Sequence, residues 1–279
     1  MRLTKFTTLI TTGLLITGLA ACGSDAKTSE LSTKYGKFTP ATSEQFTVQV
    51  SLPAPGWWNG DTPEKLNGGF EFSMAQEIGT RLGLSKTVNK NVNFDTLVAG
   101  QTGNETKFDL ALSEVTITAD RAKVVDFTTD YFSADQGIMV NAGTSVTQGN
   151  LKDLKWGVQS STTGESFVKD KIKPNGSVKS FQDLATLFTA LKAKQIDAVM
   201  MDTVIELPQA GKQAAEVVAQ FKTSEVYGGI VPKGSSNLAT INKVIEEMKT
   251  DGTLKKLAEK WLAPEFKGDP TAIPYLQLP

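Results

Sequence analysis

The chain has 279 residues, 39% hydrophobic and 21% charged, which suits one large or two medium globular domains and is too apolar for a disordered chain. It contains no histidine and one cysteine. That excludes a Ser-His-Asp triad, a Cys-His pair, His-ligated metals, an intrachain disulfide and a thiolate metal cluster. The formal net charge of −1 lacks the clustered Lys and Arg excess that a nucleic-acid surface needs.

The chain opens with a short basic stretch, Arg2 and Lys5, followed by the uncharged apolar run from Phe6 to Ala21. This run is shorter than the roughly 20 apolar residues that span a bilayer and it ends in small residues, so residues 1–21 read as a secretion signal. Leu19-Ala20-Ala21-Cys22-Gly23 resembles the bacterial lipoprotein cleavage box, which makes Cys22 the expected lipid-attachment residue. Residues 22–44 are polar and aperiodic and read as a flexible tether reaching about 25 Å on average. The expected location is the outer face of the cell membrane, anchored by the lipid on Cys22.

Beyond the tether, strands and helices alternate. Phe46 to Val50 is a β-branched run, and Gly69 to Leu82 carries Phe70, Met74, Ile78 and Leu82 at helical spacing. Val88 to Phe94 reads as a short strand, Asp95 to Ala99 as a helical turn, and Phe108 to Val115 as a strand. Thr118 to Val125 opens a helix with Thr118 as its N-cap, and Asp135 to Val140 is a strand. A second series begins at Leu151. It has strands at Lys155 to Gln159, Val178 to Phe181 and Ile196 to Met201, and helices at the capping box Thr162-Thr163-Gly164-Glu165, Asp183 to Lys194 and Thr203 to Ala215. Val217 to Phe221 and Tyr227 to Val231 read as two further strands. Two apolar helical stripes close the chain on either side of Asp251-Gly252. Strand–helix alternation of this kind means parallel sheets with helices on both faces, an α/β fold, and two series predict two lobes.

The order and wording of these segments resemble the periplasmic or lipid-anchored amino-acid-binding proteins of ABC importers (solute-binding protein family 3). The resemblance runs from about Phe46 to Pro264. It rests on Gly69-Phe70-Glu71-Phe72-Ser73-Met74-Ala75, Phe108-Asp109-Leu110-Ala111-Leu112-Ser113 and Val115-Thr116-Ile117-Thr118-Ala119-Asp120-Arg121-Ala122. Val125-Asp126-Phe127-Thr128, Asp197-Ala198-Val199-Met200-Met201-Asp202, Asp251-Gly252-Thr253 and Lys260-Trp261 continue it. It implies a type II periplasmic-binding clamshell with hinge strands near 137–142 and 226–231. Lobe 1 would be 45–139 plus 230–279, and lobe 2 would be 140–229. It also implies a monomer that binds a free amino acid, delivers it to the transmembrane permease subunits, and needs no cofactor and no catalytic residue.

Candidate site residues follow from the same comparison and from physical chemistry. Arg121 in the first turn of its expected helix opposes the helix dipole, and its guanidinium fork matches a carboxylate. The resemblance gives it the ligand α-carboxylate; the alternative is an ion pair with Asp120, Asp126 or Asp130. Asp202 follows an apolar strand, where α/β sheets place their sites, and would accept the α-ammonium; the alternative is a helix N-cap. Thr163 and Gly164 open a helix whose free N–H groups suit a carboxylate, and Thr116 matches a family Ser/Thr that contacts ligand. Trp57 and Trp58 sit in a Pro/Gly-rich loop, where one is expected to stack on the ligand because two adjacent tryptophans cannot both face inward.

Glu114 departs from the Gly, Ser or Ala usual in the family, and strand alternation leaves open whether it faces the cleft or points away. The insertion Gln101 to Thr106 also breaks the family spacing. Together these leave the side-chain specificity open, and the overall reading is a receptor for a polar or basic amino acid. Two other classes remain: a ligand-sensing receptor partner, and a dehydratase of the same fold. The dehydratases carry a catalytic glutamate three residues after the aspartate matching Asp202, where this chain has Ile205, with Glu206 next.

Overall fold

A computed structural model describes residues 28–101 and 107–278. The secretion signal, Cys22 and residues 102–106 of the insertion lie outside the described residues. Ten strands and eight α-helices follow the chain among those described. They are β1 (Leu31–Thr33), β2 (Gly36–Phe38), β3 (Gln45–Val50), α1 (Phe70–Arg81), β4 (Lys86–Asn91), α2 (Phe94–Val98), β5 (Leu110–Ala111) and β6 (Asp126–Asn141). The second half adds β7 (Trp156–Gln159), α3 (Thr163–Phe167), β8 (Lys179–Phe181), α4 (Leu184–Lys192), β9 (Ala198–Asp202), α5 (Thr203–Gln213) and β10 (Ala215–Val231). The chain closes with α6 (Leu238–Thr250), α7 (Thr253–Trp261) and α8 (Ala263–Phe266).

Eight strands form one sheet in the order β4-β3-β5-β10-β6-β9-β7-β8. The flanks are parallel: β3 pairs with β4 and β5, and β7 pairs with β8 and β9. Between them β6 and β10 run antiparallel to each other as the two crossovers of a two-lobe α/β clamshell. The sequence reading had split β10 into two strands. The break it registered is real, because the β6–β10 register shifts between Phe221 and Glu225 and again at Tyr227–Gly228. A bulge bends a strand without ending it.

Each lobe has its own core. Phe46, Val48, Phe70, Met74, Ile78, Ile241 and Val244 build the first, while Ile138, Val140, Trp156, Val158, Ala198 and Met200 build part of the second. The four-residue spacing read along α1 is the buried stripe Phe70, Met74, Ile78. Gly69 at its N-cap has φ +117, and a Cβ there would lie 2.2 Å from the Trp57 carbonyl oxygen, so only glycine lets the helix start against that loop. Tyr227 packs in the first core and Ile138 in the second, so packing changes lobes a few residues before the expected boundaries at 139/140 and 229/230.

Two expectations are corrected. Residues 31–44 are no tether: β1 and β2 form a hairpin whose Tyr35 and Phe38 are buried in the first core, with the Phe38 and Phe46 rings 6.1 Å apart. The aperiodic composition hid it because a three-residue strand carries too few positions to show alternation. The C-terminus does not stay with lobe 1 either. The Gln220 N–H donates to Pro274 O at 2.9 Å, the Leu276 N–H donates to Gln220 O at 2.9 Å, and Leu276 packs on the second core. Among the described residues no helix is long and apolar enough to cross a membrane.

Candidate functional site

A cavity lies between the lobes, lined by residues of both. Lobe 1 contributes Ser51 and Leu52 after β3, Phe94 at the start of α2, Ser113, Glu114 and Thr116 after β5, and Arg121. Lobe 2 contributes Gln159 at the end of β7, Thr163 and Gly164 at the start of α3, Asp183 before α4, and Asp202 at the end of β9. Nearly every one sits where a parallel strand ends or a helix begins, the place where the strand edge is uncovered and backbone N–H groups are free.

Arg121 sits in a single 3-10 turn, Arg121–Lys123, not in a helix. Its backbone N–H still donates to the Thr118 hydroxyl at 3.2 Å, so the capping signal was real, but the chain leaves for β6 after one turn and no helix dipole acts on the guanidinium. Nη1 donates to Thr116 O at 2.8 Å and Nη2 reaches across the cleft to Ser161 O at 2.9 Å, while the guanidinium lies 5.5 Å from the Phe94 ring centre. The three acids offered as ion-pair partners are taken: Asp120 by Lys123 at 2.6 Å, Asp126 by Lys233 at 2.8 Å and Asp130 by Lys249 at 3.2 Å. Among the described residues Arg121 has no carboxylate within ion-pair distance.

Asp202 makes no capping bond to α5, although it stands at the cap position. Its carboxyl oxygens are held by Gln136 Nε2 and by the Tyr227 hydroxyl, from the two crossover strands. Burial, reinforced by the Glu225 charge, pushes its carboxyl up to about 8. Glu225 is a residue the sequence reading missed. It accepts from Thr116 Oγ1 at 3.2 Å, Thr163 Oγ1 at 3.0 Å and Gln136 Nε2 at 2.9 Å, and so ties both lobes to the hinge. No local signal marks Glu225 or Gln136, because a long strand with bulges puts its functional positions out of simple alternation.

The capping box forms in half: Thr162 Oγ1 accepts the Glu165 N–H at 3.0 Å, while Glu165 Oε2 accepts at 2.7 Å the N–H of Ser161, one residue before the cap. Thr163 and Gly164 line the cavity, and a Cβ at Gly164 would lie 2.7 Å from Met200 O and 2.9 Å from Gln136 Oε1. Glycine is what lets α3 sit down on β9.

Neither tryptophan lines the cavity. Trp57 and Trp58 are both 0% exposed. Trp57 packs edge-on against Phe132 at 4.9 Å and Phe70 at 5.4 Å, and its Nε1 donates to Val204 O at 3.3 Å. Trp58 donates to Glu71 Oε2 at 2.7 Å and meets Phe72 edge-on. Both bury because their residues lie in a tight turn, with both N–H groups bonded to Ala54 O, rather than on an extended segment where neighbours face opposite ways. The aromatic side chain in the cavity is Phe94.

Glu114 lines the cavity together with Ser113. Its φ of +49 breaks strand alternation, which is why neighbours that should face opposite ways share one wall. Ile205 also lines the cavity at the position examined for a catalytic glutamate. Glu206 is buried behind, near Gly137, where a Cβ would lie 2.3 Å from its Oε2.

Residues 54–264 match the family described as bacterial extracellular solute-binding proteins, family 3. The chain is 32% identical to the ABC transporter glutamine-binding protein GlnH of Bacillus subtilis, across 88% of its own length and 92% of that protein. It is 30% identical to the L-cystine-binding protein TcyJ of Escherichia coli, covering 78% and 83% of the two chains. An ancestral arginine-binding protein solved with glutamine bound superposes with a TM-score of 0.70 at 34% identity, covering 79% and 98%.

Proposed function

We propose, for a chain that belongs to the bacterial extracellular solute-binding proteins of family 3, the role of amino-acid receptor of an ABC importer, held outside the cell membrane by a lipid on Cys22. The observation that carries this reading is Arg121, a guanidinium in a two-lobe cavity with no carboxylate of its own, opposite the buried carboxyl of Asp202. A free α-amino acid supplies the two missing partners. Its α-carboxylate meets Arg121, with Thr163 and the backbone N–H of Gly164 closing on it from lobe 2, and its α-ammonium meets Asp202. Thr116 orients Arg121 through its carbonyl. Phe94 covers the ligand in place of Trp57 or Trp58. The side chain points to a polar wall, which suits a polar or basic amino acid.

A ligand that touches both lobes only in the closed form shifts the population to that form by its differential affinity, and the permease subunits then meet a closed receptor. A thermal-shift screen of the twenty amino acids tests the reading, because stabilisation grows as RT ln(1 + [L]/Kd). A subset of polar or basic amino acids should raise Tm; no shift with any of the twenty would remove the proposal. Cys22→Ser should move the protein from the membrane to the soluble fraction.

A further inference from the structure

Glu114 has φ +49, a left-handed backbone conformation that glycine adopts freely and a glutamate adopts only under strain. It is 8% exposed, it lines the cavity, and its Oε1 has no hydrogen-bond partner among the described residues. A strained, unsatisfied carboxyl at a cavity wall calls for a partner that the protein does not supply.

Behind it stands a second carboxyl. Glu71 of α1 is fully buried and has three donors: Trp58 Nε1 at 2.7 Å, the Glu114 N–H at 2.9 Å and the Tyr131 hydroxyl. Burial raises the Glu71 carboxyl above its ordinary range, and the three donors oppose that rise by favouring the ionised form. The Glu114 backbone N–H bonds Glu71 Oε1, so the two buried carboxyls are neighbours, and two carboxylates side by side repel. Other groups facing this pair are Tyr131 from β6, Tyr227 from β10 and Asp202 from the end of β9; the cation in the cavity is Arg121. Burial, then the Glu71 charge, then Asp202 push the Glu114 carboxyl well above its ordinary range. In the empty cavity burial and the neighbouring carboxyls favour the protonated form of Glu114.

Resting on the amino-acid-receptor reading, we propose that Glu114, backed by Glu71, selects a ligand with a cationic side chain, and that the ligand displaces one proton from this pair as it binds. The cation stands against the Glu114 carboxyl at the cavity wall. It lets Glu114 ionise beside Glu71 by cancelling the repulsion between the two carboxylates, and the proton leaves to solvent. A neutral ligand leaves the proton in place. Asp202 also titrates, but every amino acid brings it an α-ammonium, so its contribution is common to all ligands and drops out of a comparison between them.

The test compares L-arginine with L-citrulline, which keeps the shape of arginine and replaces the guanidinium by a neutral urea. Calorimetry of the purified full chain near neutral pH, in buffers of different ionisation enthalpy, counts protons released. Arginine should release about one proton more than citrulline, and its affinity relative to citrulline should rise by up to about tenfold per pH unit, the slope of a one-proton linkage. Glu114→Gln should remove the extra proton and cut the preference for arginine over citrulline by about tenfold, since one lost charge pair of this kind nets roughly 1–2 kcal/mol after desolvation. Glu71→Gln should lower the proton count while keeping Glu114 as a charge partner. Equal proton counts for the two ligands, or an arginine preference that survives Glu114→Gln, would overturn the proposal. Binding of no amino acid at all would instead remove the receptor reading on which it stands.

Discussion

Replacing Arg121 by alanine leaves an amino acid's carboxylate in the cavity with no cation against it. The guanidinium is already fixed by two carbonyls, Thr116 O at 2.8 Å and Ser161 O at 2.9 Å, and by the Phe94 ring face. The free protein has therefore met the entropy cost of placing it, and the whole ligand contact counts toward affinity. Truncating one partner of a desolvated charge pair costs about 2–5 kcal/mol, a loss of roughly 30- to 5,000-fold in Kd. Arg121→Lys keeps the charge but has one nitrogen for three acceptors. It should lose about 1.5–3 kcal/mol, the worth of a hydrogen bond to a charged group. Calorimetry with the best amino acid from the screen measures both, with near-UV circular dichroism as the check on folding. A folded Arg121→Ala protein that binds within twofold of the parent would refute the assignment and leave Arg121 a hinge-side contact.

Gly164→Ala should lower stability by about 1–3 kcal/mol and weaken amino-acid binding, because its Cβ would lie 2.7 Å from Met200 O and push α3 off β9; unchanged Tm and Kd would contradict the packing. Phe38→Ala should cost about 3–5 kcal/mol in denaturant unfolding, since its ring is 0% exposed; a loss under about 0.5 kcal/mol, ordinary for an exposed surface position, would return residues 31–44 to a tether. The ligand-free chain should lose stability as pH rises from about 4 toward 8. Asp202 keeps its proton up to about 8 and Asp109 up to about 6 when folded, while both release it near 4 when unfolded, so the folded state binds more protons across that window. A melting temperature flat or rising across it would refute the assignment.

Much of this was legible in the chain. Arg121, Thr116, Thr163, Gly164 and Asp202 all reach the cavity, because strand ends and helix starts are local features that short segments announce. The errors have a common cause. Trp57 and Trp58 were read as if on an extended segment, where only one of two neighbours can turn inward, but they lie in a turn against Ala54 O. Glu114 was read through strand alternation, and a positive φ cancels that rule at the residue where it was applied. Glu71, Gln136 and Glu225 come into play only once α1 and the two crossover strands are folded against the site. Each is bonded to residues at least 13 positions away, and no window of sequence contains such a pair as a pattern.

On the proposed reading, the same distances let an amino acid govern the clamshell. Each lobe buries a core of its own, and the two meet at α5, whose Val204 packs in the first core. The links that cross the cavity are polar and sparse, Arg121 to Ser161 and Glu225 to Thr116 and Thr163, while beside the hinge Trp57 Nε1 bonds Val204 O. Bonds of this kind contribute about 0.5–1.5 kcal/mol each after exchange with water, so together they favour closure by only a few kcal/mol, against the solvation regained on opening. An equilibrium so nearly balanced is moved by any ligand whose contacts differ between the two forms by a similar amount. Arg121 and Asp202 stand on opposite lobes with complementary demands, so an α-amino acid is a small molecule that meets both only when the cleft is shut. If a ligand cation meets Glu114 as proposed, it adds a third demand at the far end of the same molecule, and the ligand's side chain, along with its backbone, then decides how far closure is favoured.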